Sequence, residues 1–593
     1  MDARGAPDWL ARCDLPRAWA GQTAWTVLDA DYGDGRAFVQ CWETWRQDPQ
    51  RPHMLHYVGI AAQAPHIIPL TTKAEDGASE NTALRQTLAA QCAGRGAGFH
   101  RILLDDGRVS LTLCVGEMHA MLKEQGFLAD TMRAANTSDP WVVQWLARCC
   151  KHGARLYVDA APTAIDVPQT ALRHLLRDAG FVCDVPAPSQ APATSAAQCP
   201  SITGQFHPRW EISTRRSPLH HPIHSPARCA IVGAGISGAS VAHALALRGW
   251  QVAVFDQERL PAGAASGVPV GLAVAHISAD DNPLSRLSRS GTRLAMQHAQ
   301  HLLACGHDWE PSGVLERKPG VAAQWHPHAA WMKAAALVQA WLNHSAITFT
   351  GLTCVSTLHR AEGLWHLTAA QGHALGAFEH VVIANAMGCK VLLRQALQSD
   401  CSTDWAPGLH DQLNALQPVH GTLSHGTYAE EIDNLPTTPV NGNGCFFPQV
   451  PGPHGAQWAT GSTFETGAMA AADLGTQHSS NLQRLRAVLP EWGDTLVQAL
   501  DRGPVSLWSS TRCVSHDRLP LVGPADTAAR SGLWVNVGMG ARGLSLAPLC
   551  AELLMARMCG EPLPVESSLA RRLDACRVRR VKPSAAGSPP GAD

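Results

Sequence analysis

Two hydrophobic patterns alternate along this chain. Short, largely apolar runs such as Thr26–Leu28, His56–Ile60, Ala230–Val232 and Val252–Phe255 read as strands. Between them, apolar residues recur every three or four positions, as at Ala239, Ala242, Leu245 and Ala246, which predicts helices with one buried face. The alternation spans residues ~20–185 and resumes over residues 227–580, so both halves read as α/β. Between Pro186 and Pro226 no apolar period survives, and eight of 41 residues are proline. The expected division is residues 1–185, a Pro-rich linker at 186–226, and residues 227–593 ending in a basic tail.

Composition narrows the picture. The 593 residues carry 47 Lys+Arg against 49 Asp+Glu, a net charge of −2. That excludes a uniformly basic nucleic-acid coat, though not a local basic patch. Hydrophobic residues make up 45% and charged residues 16%, so a large core is available. No window approaches ~18 consecutive apolar residues, and the N-terminus lacks the apolar stretch of a signal peptide. The 18 cysteines contain no C-x-x-C pair, so buried thiols in the cytoplasm are expected. The 29 histidines show no spacing that predicts a metal site.

The sharpest motif follows the linker. A strand runs into Gly233-Ala-Gly235-Ile-Ser-Gly238, a helix follows and ends at Gly249, and a second strand delivers Asp256. Gly233 permits the tight turn, Gly235 lets backbone approach a pyrophosphate, and Gly238 lets helix pack closely on strand. The helix N-terminus offers free N–H groups to phosphates, and Asp256 can accept the ribose hydroxyls. Two further segments favour FAD over NAD. One is the small-residue loop Gly263-Ala-Ala-Ser266-Gly267. The other is a late strand, glycine turn (Gly538, Gly540, Gly543) and helix, with Arg542 in the turn. Such a turn aims a second helix N-terminus at a flavin ring.

The segments Ser510-Thr-Arg512-Cys-Val-Ser-His-Asp517-Arg-Leu-Pro520-Leu-Val-Gly523 and Gly540-Ala-Arg542-Gly543-Leu-Ser-Leu-Ala-Pro-Leu-Cys-Ala-Glu552 resemble the MnmC family of bifunctional tRNA-modifying enzymes. The likeness extends to His100–Leu111 and Leu175–Phe181. It implies a Rossmann-like methyltransferase fold at the N-terminus and a FAD domain with a D-amino-acid/glycine oxidase-like substrate region. The implied substrate is a tRNA wobble uridine bearing a carboxymethylaminomethyl group, in effect an N-substituted glycine. The FAD domain would oxidise the glycine C–N bond, and hydrolysis would release glyoxylate. The N-terminal domain would then methylate the amine from S-adenosylmethionine. Arg512 falls at the family's arginine and is the candidate for the substrate carboxylate; an ion pair with Asp517 is its other reading. Arg542 is the expected flavin contact.

The N-terminal half departs from the family pattern. Its loop reads Asp29-Ala-Asp31-Tyr-Gly33-Asp34-Gly35, where the family has Glu-x-Gly-Phe-Gly-Thr-Gly. Asp29 or Asp31 could hold the donor's ammonium, Gly33 and Gly35 keep the loop tight, and Glu117 stands where the family has an acid near the adenine. The second strand ends at Ala61-Ala62 without an acid for the ribose. The next strand is expected to end at Phe127-Leu-Ala129-Asp130, with its acid one position late. Two readings stay open for this half: an active methyltransferase, or a tRNA-docking module that kept the fold. A small-molecule glycine- or sarcosine-type oxidase is the third possibility for the whole chain. The basic residues Arg571, Arg572, Arg577, Arg579, Arg580 and Lys582 could follow tRNA phosphates or form a solvated terminus.

Overall fold

The computed structural model describes residues 9–65, 80–135, 137–159, 169–184, 201–210, 222–318, 320–399, 403–428, 435–452, 455–466 and 473–577. The N-terminal half is built on eight strands: β1 (Ala24–Asp29), β2 (Met54–Ala61), β3 (Gly98–Leu104), β4 (Val109–Val115), β5 (Ala129–Ala135), β6 (Cys150–Asp159), β7 (Phe181–Cys183) and β8 (Ile202–Phe206). Their order across the sheet is β3-β4-β2-β1-β5-β6-β8-β7. β4, β2, β1, β5 and β6 run parallel, whereas β3 and β8 run antiparallel to their neighbours. β1 has β2 on one side and β5 on the other. The chain reverses direction across the sheet there, which opens a crevice at the carboxyl ends of these strands.

Two expectations are corrected. The stretch 186–226 is not linker throughout, because β8 lies inside it and closes the first sheet between β6 and β7; most of the rest (185–200 and 211–221) lies outside the described residues. Asp130 does not sit near a strand's end. β5 begins at Ala129, so Asp130 stands at the opposite edge of the sheet, accepting from the Thr26 N–H (2.8 Å) and the Lys151 ammonium (2.7 Å).

The C-terminal half has β9 (Arg228–Val232) and β10 (Gln251–Phe255) in a six-stranded sheet. β9 lies between β10 and His380–Ile383, and Leu533–Val537 follows, all four parallel. The helices Ile236–Leu247 and Gly543–Cys559 pack behind this sheet; the second is buried from Leu544 to Met558. Helix Pro283–Leu302 crosses it so closely that a Cβ on Gly291 would lie 2.0 Å from the Ser545 carbonyl. A second, eight-stranded sheet carries strand Val505–Val514, paired in register with Gln417–Gly426.

The halves are joined by buried charges. Arg248 donates to Glu561 (2.6 and 2.7 Å) and to Glu552 (3.2 Å). From the N-terminal sheet, Arg101 donates to the Ser110 hydroxyl (2.9 Å) and to the Pro562 carbonyl, and its Nε lies 3.8 Å from Glu552. His56 Nδ1 bonds Ser110 (2.8 Å), and its Nε2 lies 3.6 Å from Glu561. Burial opposes the charge on Glu561, but Arg248 outweighs it and holds the carboxyl down at about 2. Burial pushes His56 down to about 4.

His56 therefore stays neutral in the folded protein while an unfolded histidine protonates near 6.5. Stability is present above pH 6.5 and declines as the pH falls toward 4, and His56 accounts for about 2 kcal/mol of the loss at pH 5. Calorimetric melts of wild type and His56→Gln at pH 7 and 5 should show a smaller Tm drop in the variant. An equal drop would remove His56 from this role.

Candidate active site

The carboxyl ends of the parallel strands in the second half converge on one elongated cavity of about 1050 Å³. Gly233 and Gly235 line it after β9, Asp256 after β10, Asn385 after His380–Ile383, and Gly538 to Gly543 after Leu533–Val537. Gly233 has φ +110°, and a Cβ there would sit 2.8 Å from the Ala384 backbone. Gly238 stands behind the wall: its Cβ would lie 1.8 Å from the Gly233 carbonyl, so only glycine lets this helix approach its strand. Gly267 also stands back, tight against the Ala262 carbonyl.

Asp256 already accepts from the backbone N–H groups of Ala234 (2.5 Å) and Glu258 (2.8 Å), which fixes its carboxylate at the cavity edge. Ser266 accepts from Ile236 N–H (2.8 Å) at the helix N-terminus. The side-chain amide oxygen of Asn385 (Oδ1), also on this wall, is buried with no hydrogen-bond partner. A glycine cradle, a carboxylate held at its far end and an unmatched polar atom on the wall fit FAD.

Beyond the cradle the same cavity is lined by Leu272, Phe447, Phe464, Trp508 and Arg512. Arg512 pairs across from Val419 on strand Gln417–Gly426. Its guanidinium donates to the Ser462 hydroxyl (2.6 Å) and lies where a Cβ on Gly421 would be 3.0 Å away. Among the described residues it has no carboxylate partner. Asp517 instead binds Arg577 at 2.8 and 3.0 Å and caps its own turn at Leu519. The alternative ion pair is thereby removed, and Arg577 is an internal brace rather than a free cation of the tail; Arg579, Arg580 and Lys582 lie outside the described residues. Burial lowers the affinity of Arg512 for its proton, the mark of a cation awaiting a counter-charge.

Sequence reasoning missed a second charged group on this wall. Glu316 binds Lys318 (3.1 Å) and His326 (3.0 Å); burial works against its charge, yet those two hydrogen bonds hold its carboxyl below the usual range. Burial lowers Arg542, which also lines the cavity and feels attraction from Glu316 and repulsion from Arg518. No motif marks Glu316, Ser462 or Asn385; each is placed by folding alone.

The predicted loop residues Asp29, Asp31, Gly33 and Gly35 lie at the crevice of the first sheet, at the end of β1, whereas Glu117 follows β4, two strands away. Gly33 (φ +55°) and Gly35 (φ +80°) turn the loop as expected. Its acids are all engaged. Asp29, fully buried, accepts from Arg133 (2.8 Å), from the Tyr57 hydroxyl (2.6 Å) and from its own loop at Asp31 N–H (3.0 Å). Asp34 pairs with Arg36 (2.7 Å) and lies 3.7 Å from Arg85. Glu117 is exposed and caps helix Met118–Lys123, accepting from His119 and Ala120 N–H, and those bonds lower its carboxyl. The loop backbone suits S-adenosylmethionine; the charge arrangement of this conformation does not.

Comparison with known proteins decides the family. FAD dependent oxidoreductases (DAO) match residues 228–317 and 309–557. The tRNA 5-methylaminomethyl-2-thiouridine biosynthesis bifunctional protein MnmC of Albidiferax ferrireducens (strain ATCC BAA-621 / DSM 15236 / T118) is 42% identical over 96% of this chain and 95% of its own. The chain belongs to the MnmC family. The MnmC protein of Polaromonas naphthalenivorans (strain CJ2) is 35% identical over 97% of this chain and 94% of its own. Among solved structures, glycine oxidase from Bacillus cereus ATCC 14579 aligns over 60% of this chain and 99% of its own, at 21% identity and a TM-score of 0.46. Among the described residues of this MnmC-family chain, no helix is long and apolar enough to cross a membrane, and no group of three or more His, Cys, Asp or Glu could hold a metal ion.

Gly238→Ala tests the cradle. A Cβ 1.8 Å from a carbonyl oxygen forces helix and strand apart. The purified variant should carry far less flavin than wild type by visible absorbance, with a lower Tm.

Proposed function

We propose that this chain modifies the wobble uridine of tRNA in two steps. The C-terminal half removes the carboxymethyl group from 5-carboxymethylaminomethyl-(2-thio)uridine, giving 5-aminomethyl-(2-thio)uridine. The N-terminal half then methylates that amine from S-adenosylmethionine to give 5-methylaminomethyl-(2-thio)uridine. The observation that carries the first step is the unmatched guanidinium of Arg512 in the same cavity as the dinucleotide cradle.

When bound, FAD supplies a two-electron acceptor for the hydride of the glycine Cα; the amine proton is lost, and water cleaves the resulting imine to glyoxylate and the primary amine. The chain's own residues position the substrate. Arg512 offers a bidentate fork to the glycine carboxylate, and Ser462 fixes the fork's direction. Leu272, Phe447 and Trp508 form apolar wall around the reacting carbon, which strengthens the charge pairing by keeping water away. Gly233, Gly235 and the helix N-terminus behind them would hold the pyrophosphate, Asp256 the ribose, and Arg542 would contact the flavin. Holding the C–H in line is the main catalytic contribution asked of this site.

Arg512→Gln should lower kcat/KM for the oxidative step by about a hundredfold or more while leaving flavin content unchanged, since a buried charge-assisted bidentate contact is lost. The decisive experiment incubates the protein with tRNA bearing carboxymethylaminomethyl-uridine, with and without S-adenosylmethionine, and reads digested nucleosides by mass spectrometry. Aminomethyl-uridine alone, converted to methylaminomethyl-uridine when the donor is added, is the expected result. Untouched starting nucleoside, with rapid peroxide release from free glycine or sarcosine, would replace the tRNA substrate by a small amine.

A further inference from the structure

The crevice at the ends of β1 and β5 contains a cation of the protein's own. Asp29 and Arg133 are direct neighbours in the β1–β5 register. Arg133 Nη1 donates to Asp29 Oδ1 (2.8 Å) and to the Asp31 carbonyl (2.6 Å), and its Nη2 lies 3.7 Å from the Asp31 carboxylate. The side chain is 13% exposed and that of Asp29 is 0% exposed. The other Asp29 oxygen is taken by Tyr57. The guanidinium thus ties the loop's first acid, its backbone and its second acid together from the facing strand.

S-adenosylmethionine carries two positive centres, a sulfonium and an ammonium, against a single carboxylate, so its cationic groups need an anion beside them. The only fully buried carboxylate of this loop already faces a guanidinium. A second cation brought to the same carboxylate meets like-charge repulsion in a poorly screened crevice and finds the acceptor oxygens filled. Among the described residues, Asp31 keeps a half-exposed carboxylate, but it already lies 3.7 Å from the same guanidinium, with the charge of Asp159 nearby. β2 ends at Ala61 with no acid, and Glu117 is spent as a helix cap. The third acid, Asp34, has its own arginines.

Resting on the methyl-transfer reading above, we infer that Arg133 sets the methyl-donor affinity of the N-terminal half by occupying, as an internal counter-ion, the place of the donor's positive charge. The donor binds only after the Asp29–Arg133 pair opens, so its ammonium gains little on binding. Burial opposes the charge on Arg133, but the Asp29 carboxylate outweighs it and holds the guanidinium firmly protonated.

Calorimetric titration of the flavin-loaded full-length protein tests this. In wild type, S-adenosylmethionine and 5′-methylthioadenosine, which lacks the amino-acid moiety and both positive charges, should bind within about threefold of each other. Arg133→Gln keeps an amide that can donate to Asp29 and Asp31 while removing the charge. It should tighten S-adenosylmethionine by about tenfold or more, the worth of one recovered charge-assisted bond, with 5′-methylthioadenosine unchanged. Arg133→Lys, which keeps the charge, should behave as wild type. The inference is overturned if wild type already binds S-adenosylmethionine about tenfold tighter than 5′-methylthioadenosine, a comparison that needs no variant. It is equally overturned if Arg133→Gln folds and gains nothing; methyl transfer observed alongside either result leaves the reading of the second step standing. Should neither ligand bind any form and no methylated nucleoside appear, the methyl-transfer reading itself fails and the role of Arg133 with it.

Discussion

The charges buried between the two halves do not balance within either half. On the C-terminal side Glu552 and Glu561 face a single Arg248, and on the N-terminal side Arg101 stands beside a neutral His56. Separated, one half keeps a surplus negative charge and the other a surplus positive charge, each too costly to bury alone. Docked, two cations meet two anions, and Ser110 bridges Arg101 to His56. Further bonds extend the contact: Glu124 accepts from the backbone N–H of Ser567 and Ser568, and Gln297 accepts from Leu103 N–H. Glu552 lies on helix Gly543–Cys559, Glu561 just beyond its end, and Arg248 caps the end of helix Ile236–Leu247; both helices begin at the flavin cavity. Domain docking and cavity geometry are therefore set by the same two helices.

The two sites treat arginine in opposite ways. Arg512 is enclosed with a hydroxyl for company and no carboxylate, so its charge is available to whatever enters. Arg133 is enclosed with a carboxylate at 2.8 Å and a backbone carbonyl at 2.6 Å, so its charge is spent. Burial makes both states costly to change, because a guanidinium stripped of water must keep or find an acceptor. An unmatched buried cation is an open invitation to an anionic substrate, whereas a matched one closes a crevice against a cationic ligand.

What the sequence disclosed follows from how local each constraint is. The Gly233–Gly238 turn, the acid at Asp256 and the late glycine turn are written within short windows, because backbone geometry near a pyrophosphate restricts consecutive residues. The α/β class was legible for the same reason. The pairing of Asp29 with Arg133 joins strands that are 104 positions apart, and no pattern in either segment announces it. Reading the segment around Phe127–Asp130 as a strand's end rather than its start hid Arg133 altogether. β8 was lost among prolines because a five-residue strand, Ile202–Phe206, carries too little periodicity to outweigh its surroundings. Glu316, Ser462 and Asn385 reach the cavity from unrelated segments and share no spacing.

The charge on Arg512 also gives the reaction a direction. In the proposed reaction the substrate would reach the cavity with a carboxylate on the tRNA side chain, and that carboxylate is what the guanidinium would hold. Oxidation and hydrolysis sever it: glyoxylate keeps the anion and the tRNA keeps a primary amine, which is cationic near neutral pH. The modified nucleoside then faces an unmatched arginine with a positive charge of its own. On this reading attraction of the tRNA before the reaction would become repulsion after it, which would favour release of the modified tRNA, while glyoxylate would remain the anion beside Arg512. In the proposed second step that amine must first give up its proton to free the lone pair that attacks the methyl group, and its methylation then depends on how readily the crevice beside Asp29 admits a donor.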